Sequence, residues 1–202
     1  MTSCPMSGTS SNPSVVSMSK VFMLDKYFSE LQKLWDNEKR QTLLVQAIED
    51  ENLELVKHVI DLGVDVNQED GIGRTPLRIA IYKNNLEIIT LLSKNGANLN
   101  SIDSLRWTPL TYAIEKKKNL EIVKLLVENG ADINDHCGSF GNAFHCAILA
   151  NNLEMVEFFM ENGADLTIQT RFPIQHNSNA FELAMKGNKM NILKQVVHYS
   201  EE

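Results

Sequence analysis

LELVKHVIDLG (residues 53–63), LEIITLLSKNG (86–96), LEIVKLLVENG (120–130) and LEMVEFFMENG (153–163) are one phrase written four times. The closing glycines, Gly63, Gly96, Gly130 and Gly163, lie 33, 34 and 33 residues apart. The opening leucines Leu53, Leu86, Leu120 and Leu153 keep the same steps, and Ala47, Ala80, Ala113 and Ala147 follow at 33, 33 and 34. A fixed period of this size means a stacked array, in which each unit buries its apolar face only against its neighbours.

One period can be read residue by residue. Thr75 has the side chain to cap a helix start, and Pro76 at the first helical position loses no needed hydrogen bond. Ile79, Ala80 and Ile81 follow as core positions, with the small Ala permitting close approach of a paired helix. Asn84-Asn85 makes a turn, and Leu86 to Leu92 forms a second, more apolar helix. Asn95-Gly96 stops that helix, because Gly tolerates the left-handed conformation past a helix end. Ala97-Asn98-Leu99-Asn100 leads out extended, and Asp103 to Arg106 reverses the chain before Thr108-Pro109-Leu110.

Outward from the repeats the character changes. Residues 1–19 are rich in Ser and read as a flexible tail, since they offer too little apolar surface to offset ordering. Residues 20–36 place Val21, Leu24, Phe28, Leu31 and Trp35 at steps of three and four, an amphipathic helix. Its polar face mixes Asp25 and Glu30 with Lys26 and Lys33, so packing on the repeats fits better than lying on a membrane.

These motifs resemble the ankyrin-repeat family, whose unit reads roughly G-x-T-P-L-H-x-A and then L-E-x-V-x-L-L-x-x-G-A-D-x-N. The second repeat (GRTPLRIA…GANLN) and the third (WTPLTYA…GADIN) match closely. The first (QTLLVQA…GVDVN) lacks the Pro, and the fourth (GNAFHCA…GADLT) keeps His145 and the Ala. The fifth (NAFELA…MNILKQVV) lacks the terminal Gly-Ala and reads as a cap. The resemblance spans residues 38–198 and implies an all-α ankyrin solenoid of about five repeats, near 37–69, 70–102, 103–136, 137–169 and 170–199. Residues 20–36 would cap its first edge. In such a stack the finger turns and first helices line a concave face, and second helices the outer one. The third repeat carries an extra residue at Lys116-Lys117-Lys118-Asn119, and the 170–179 connection is lengthened; insertions in solenoids fall in loops, often on the binding side.

Composition narrows the functions. With 19 Lys+Arg against 26 Asp+Glu the net charge is −7, which disfavours a nucleic-acid partner. Hydrophobic residues at 43% and charged residues at 22% exclude a disordered chain. No apolar run approaches the roughly 20 residues of a membrane span. The first residues have no secretory pattern, and three Cys make no disulfide framework, so a reducing cytoplasmic location is expected, with the nucleus open to a chain this small.

No catalytic motif is present: no phosphate loop, no dinucleotide fingerprint, no H-E-x-x-H and no G-x-S-x-G. Gly71-Ile72-Gly73 belongs to a finger turn. His136-Cys137 and His145-Cys146 lack zinc spacing, because adjacent His-Cys pairs do not both point inward. His145 falls on the family's T-P-L-H histidine, which the resemblance implies hydrogen-bonds between neighbouring loops, and Cys146 falls on the core side. Glu54, Glu87, Glu121 and Glu154 share one position at the start of each second helix, where carboxylates favour the helix dipole. The reading is therefore a non-enzyme with no cofactor and no metal.

What varies between repeats is the finger and the inner edge of the first helix. These positions hold Ile72, Arg74, Leu105, Arg106, Trp107, Ser139 and Phe140 in the fingers, and Tyr82, Glu115 and Leu149 on the helices. Trp, Tyr and Arg are the residues that anchor interfaces, so this set is the expected protein-binding surface. The resemblance further implies that Asn134, preceded by Leu126 and Asp132-Ile133, and Asn67, preceded by Val59 and Asp65-Val66, are candidates for asparaginyl hydroxylation. It implies a monomeric adaptor or inhibitor, similar to the inhibitors of Rel-type transcription factors (inhibitor of kappa-B-like). A viral or bacterial effector imitating such proteins, or a substrate-recruiting subunit of a ubiquitin ligase, is the alternative.

Overall fold

A single pair of short helices cannot shield both of its apolar stripes, and the fold resolves this by repetition. The computed structural model describes residues 37–104, 106–116, 119–135, 141–170 and 178–200. Ten helices lie among them: α1 (Asn37–Glu49), α2 (Leu53–Asp61), α3 (Pro76–Lys83), α4 (Leu86–Lys94), α5 (Pro109–Glu115), α6 (Leu120–Glu128), α7 (Ala143–Leu149), α8 (Leu153–Glu161), α9 (Ala180–Lys186) and α10 (Met190–Ser200). The expected tail over 1–19 and the helix over 20–36 lie outside the described residues. The chain divides into two compact units, Met1–Arg40 and Gln41–Glu202, and the second holds the stack.

Within it the helices pair as α3 with α4, α5 with α6, α7 with α8 and α9 with α10. First helices also stack in sequence, α3 on α5, α5 on α7 and α7 on α9, while α2 lies on α4, α4 on α6 and α8 on α10. Each pair contributes to one continuous apolar core. Ala47, Ala80, Ala113, Ala147 and Ala184 are fully buried, and Phe144 and Phe159 are the largest side chains completely enclosed. Met155 and Met160 are buried too, as core residues rather than a groove. Burying one such Leu, Ile or Val contributes roughly 1.5–3 kcal/mol before entropy is counted.

The ends of the helices are fixed locally. Asn52, Asn85, Asn119 and Asn152 cap the second helices, their side-chain oxygens accepting the N–H groups of Leu55, Ile88, Ile122 and Met155 at 3.0–3.1 Å. Thr75, Thr108, Asn142 and Asn179 do the same for the first helices α3, α5, α7 and α9. Gly63, Gly96, Gly130 and Gly163 all adopt positive φ, from 78° to 100°, where a Cβ would be strained.

Between repeats runs a second set of bonds. Asn67 donates from Nδ2 to the Gly96 carbonyl (2.9 Å) and accepts the Asn98 N–H (2.7 Å). Asn100 bonds Gly130 and Asp132 in the same way, and Asn134 bonds Gly163 and Asp165. Each rung is held two residues upstream, where the side chain of Asp65, Asn98 or Asp132 accepts the rung's own N–H. The fourth place in this series is Thr167, which turns back onto Asp165. Because each rung satisfies one donor and one acceptor in a partly solvated hairpin, Asn100→Ala should lower unfolding free energy by about 1 kcal/mol in urea titration. Asn67→Ala should cost a similar amount, and no loss in either would show that water replaces the rung.

Candidate protein-binding site

The finger of the second repeat is built around one carboxylate. Asp70 accepts the N–H groups of Ile72 (3.0 Å) and Arg74 (2.9 Å) through Oδ1, and the Arg74 Nε–H through Oδ2 at 2.7 Å. The Arg74 carbonyl accepts the Asp70 N–H, and Gly73, at φ 76°, closes the turn onto the Asp70 carbonyl. Arg74 continues to Glu49, Nη2 to Oε1 at 3.0 Å. Burial alone would raise the Asp70 pKa. The amides of Arg74 and Ile72 and the Arg74 guanidinium outweigh it, so the carboxyl titrates below its ordinary 3.8.

The third finger repeats this construction with different side chains. Asp103 accepts the Trp107 N–H at 2.8 Å, donates its own N–H to the Trp107 carbonyl, and its carbonyl accepts the Arg106 N–H. Arg106 therefore stands where Gly73 stands and Trp107 where Arg74 stands. The Trp107 and Tyr112 rings lie 6.0 Å apart, and the Lys116 Nζ sits 5.4 Å over the first and 5.9 Å over the second. Arg78 ties α3 to the third repeat: its Nη1 meets Asp103 Oδ2 at 2.6 Å and its guanidinium lies 4.7 Å over the Tyr112 ring. Cation–π contacts of this kind contribute roughly 0.5–2 kcal/mol, more as water is excluded.

The structure separates the expected surface residues into groups. Ile72 is 75% exposed and Tyr82 60%, both projecting from the second repeat. Arg106 and Glu115 are exposed. Trp107 and Leu149 are half-buried and pack on the core. Arg74 is committed to Asp70 and Glu49. Leu105, Ser139 and Phe140 lie outside the described residues, as do Lys117, Lys118 and the greater part of the 170–179 loop. The residue reading missed Ile102, which is 44% exposed beside the same fingers, and Arg78. A signal for Arg78 existed: it occupies the histidine place of T-P-L-H, the place that repeats least.

That place is used in three ways. Arg78 crosses to the next finger; Thr111 closes a capping box with Thr108; His145 closes one with Asn142, whose Oδ1 accepts the His145 N–H at 3.0 Å and lies 2.6 Å from the ring Nδ1. Both of these bonds of the buried His145 lie within its own repeat, whereas Arg78, two repeats earlier, reaches from its helix to the finger of the next repeat. His136 and Cys137 lie outside the described residues, and no group of three metal-binding side chains occurs among the described ones. Nor is any described helix long and apolar enough to cross a membrane.

The geometry agrees with a comparison of the sequence with known families. The description "Ankyrin repeats (3 copies)" matches residues 26–103, 44–137 and 95–170, which together take in most of the chain. The chain belongs to the ankyrin-repeat family. No curated protein matches it. Ankyrin repeats are protein–protein interaction modules, typically non-catalytic, and the all-α repeat solenoid expected from the residues is the one observed.

The Asp70-centred finger carries a pH signature. Its folded pKa is depressed, so its stabilisation is complete above the ordinary value of 3.8 and is lost as pH falls below it. Melting temperatures recorded from pH 6 down to about 3 should fall less steeply for Asp70→Asn than for the wild type. Parallel curves would show that this carboxylate does not govern the acid limb.

Proposed function

We propose that this chain binds a partner protein through its finger and first-helix face and acts by occupying that partner's surface, as an inhibitor or adaptor. The observation that carries the reading is the exposure of Ile72 and Tyr82 beside finger turns that hydrogen bonds hold rigid. Large apolar groups on a preorganised surface bind with little ordering cost, and aromatic residues there supply most of the energy. A Rel-type transcription factor is the first partner class to test, from the resemblance to its inhibitors. Recruitment to a ubiquitin ligase, and imitation of host ankyrin proteins by an effector, are the other readings.

Asn67 and Asn134 remain proposed sites of asparaginyl hydroxylation. Both amide groups are engaged in inter-repeat bonds, and an oxygen added at Cβ leaves those amide atoms in place. An intact mass raised by one oxygen per site, in a host that supplies the enzyme, tests this.

The choice of variants follows from burial. Trp107→Ala removes a half-buried ring that packs at a tilt against Tyr112, so it disturbs the fold as well as any interface. Ile72→Ala/Tyr82→Ala removes exposed groups and should leave the melting temperature within about 2 °C. If these residues anchor the partner, the double variant loses about 1–2 kcal/mol of binding per side chain. The measurement is affinity capture from lysate with mass spectrometry, wild type beside the double variant. A partner held by wild type and lost by the variant names the pathway, whereas equal recovery moves the interface to another surface.

A further inference from the structure

Five described residues other than glycine adopt a positive φ. Among residues with positive φ that are not Gly, Asn84, Asn151 and Asn188 are of the type that tolerates the left-handed region, while Glu51 (φ 55°) and Arg106 (φ 62°) are not. Glu51 has a structural use, since its Oε2 accepts the Asn85 Nδ2 of the next repeat at 3.4 Å. Arg106 has none of that kind: among the described residues its guanidinium makes no ion pair or hydrogen bond. The finger it occupies needs the left-handed conformation, because Gly73 holds the equivalent place with the equivalent bond to Asp70. A glycine would serve the turn at lower cost, so the Arg106 side chain has a use outside the turn.

The chemistry around it indicates which use. The carboxylate of its own finger, Asp103, is already engaged by the Arg78 guanidinium and the Trp107 N–H. The Lys116 ammonium lies over the Trp107 ring in the same repeat, and Arg106 is the residue next to Trp107 in the chain, so the third repeat carries two cations here. Glu115, exposed at the end of α5, is the acidic group beside them in sequence. The apolar Ile102 and, one repeat earlier, Ile72 and Tyr82 are exposed on the same series of fingers and first helices. At physiological salt charges act over about 8 Å, so the chain's overall −7 matters less here than the local pair. A guanidinium fork is matched by a planar carboxylate.

We propose that Arg106 is a specificity-determining binding residue, held in a strained backbone so that its guanidinium engages a carboxylate of an acidic, leucine-punctuated segment of the partner protein. This rests on the finger-face reading given above. Arg106 selects for acidic over basic segments, and the exposed apolar residues supply the remaining affinity.

The test uses the full chain and three labelled synthetic peptides: one alternating Glu with Leu, its Lys-for-Glu counterpart, and its phosphoserine-for-Glu counterpart. Fluorescence anisotropy should show the Glu peptide bound at least about tenfold tighter than the Lys peptide, with the preference shrinking as salt rises. Arg106→Gly and Arg106→Asn should each lose about tenfold for the Glu peptide while their melting temperatures stay level or rise by about 1–3 °C. Arg106→Lys should recover part of the affinity, since it keeps the charge and loses the fork. Equal binding of the Glu peptide by wild type and Arg106→Gly overturns the proposal, as does binding of no peptide, a preference for Lys, or binding of the phosphoserine peptide alone. Ile72→Ala/Tyr82→Ala separates the two readings. Loss there with retention in Arg106→Gly removes Arg106 only, and retention there with loss in Arg106→Gly removes the apolar face.

Discussion

Asn67, Asn100 and Asn134 each spend both ends of an amide on the next repeat, and the rest of the stack follows from that spacing. Apolar burial drives the repeats together but does not by itself choose a register, because one leucine surface slides over another at little cost. A donor and an acceptor on the same side chain, aimed at a glycine carbonyl and at the N–H two residues beyond it, accept only one offset. The glycine matters twice: its left-handed backbone ends the second helix, and its carbonyl is the one the rung needs. With the hairpins in register, the second helices meet at the right height, and the buried alanines of the first helices let their partners close.

Register also explains where the sequence is free to change. The caps, the glycines and the rungs are fixed by bonds within a few residues or to the matching place one repeat away. The finger beyond the rung needs only an acceptor at its first position, Asp70 or Asp103, and a left-handed residue before its last. Side chains at the remaining finger positions answer to neither demand. That is why Ile72 can stand in solvent, while at the next finger Trp107 folds back onto Tyr112 and Lys116.

Local chemistry was legible in the residues, and cross-repeat chemistry was not. Thr75, Asn85 and Gly96 act within one turn of themselves, so their roles could be read directly. The partner of Arg78 depends on which carboxylate stacking brings within 2.6 Å, and its guanidinium also lies over Tyr112 of the next repeat. No spacing rule within one repeat contains either fact. Arg106 is the instructive middle case. Aligned with Gly73, it already marks a residue in a place made for glycine; what alignment lacks is that Asp103, the obvious counter-ion, is taken.

The fifth repeat tests how far the constraint reaches. Thr167 ends the ladder by bonding Asp165, so the last pair of helices is attached by other means. Lys189 drives its ammonium onto the carbonyls of Ile148 and Leu149, at 2.6 and 2.7 Å, at the end of the preceding first helix, where a cation suits the exposed carbonyls. Burial lowers its pKa, the cost of placing that charge between helices. Tyr199 reaches the Met160 carbonyl and Gln195 reaches Glu157. These are long side chains bonding the helices themselves, not hairpin amides, and they need no asparagine at the finger. The result is a repeat whose outward residues Phe181, Met185 and Met190 stay exposed. In the inner repeats register comes from the hairpins and the helices follow; in the last one the helices supply the register themselves, which is why its hairpin could lose the Gly-Ala and Asn signature without losing its place.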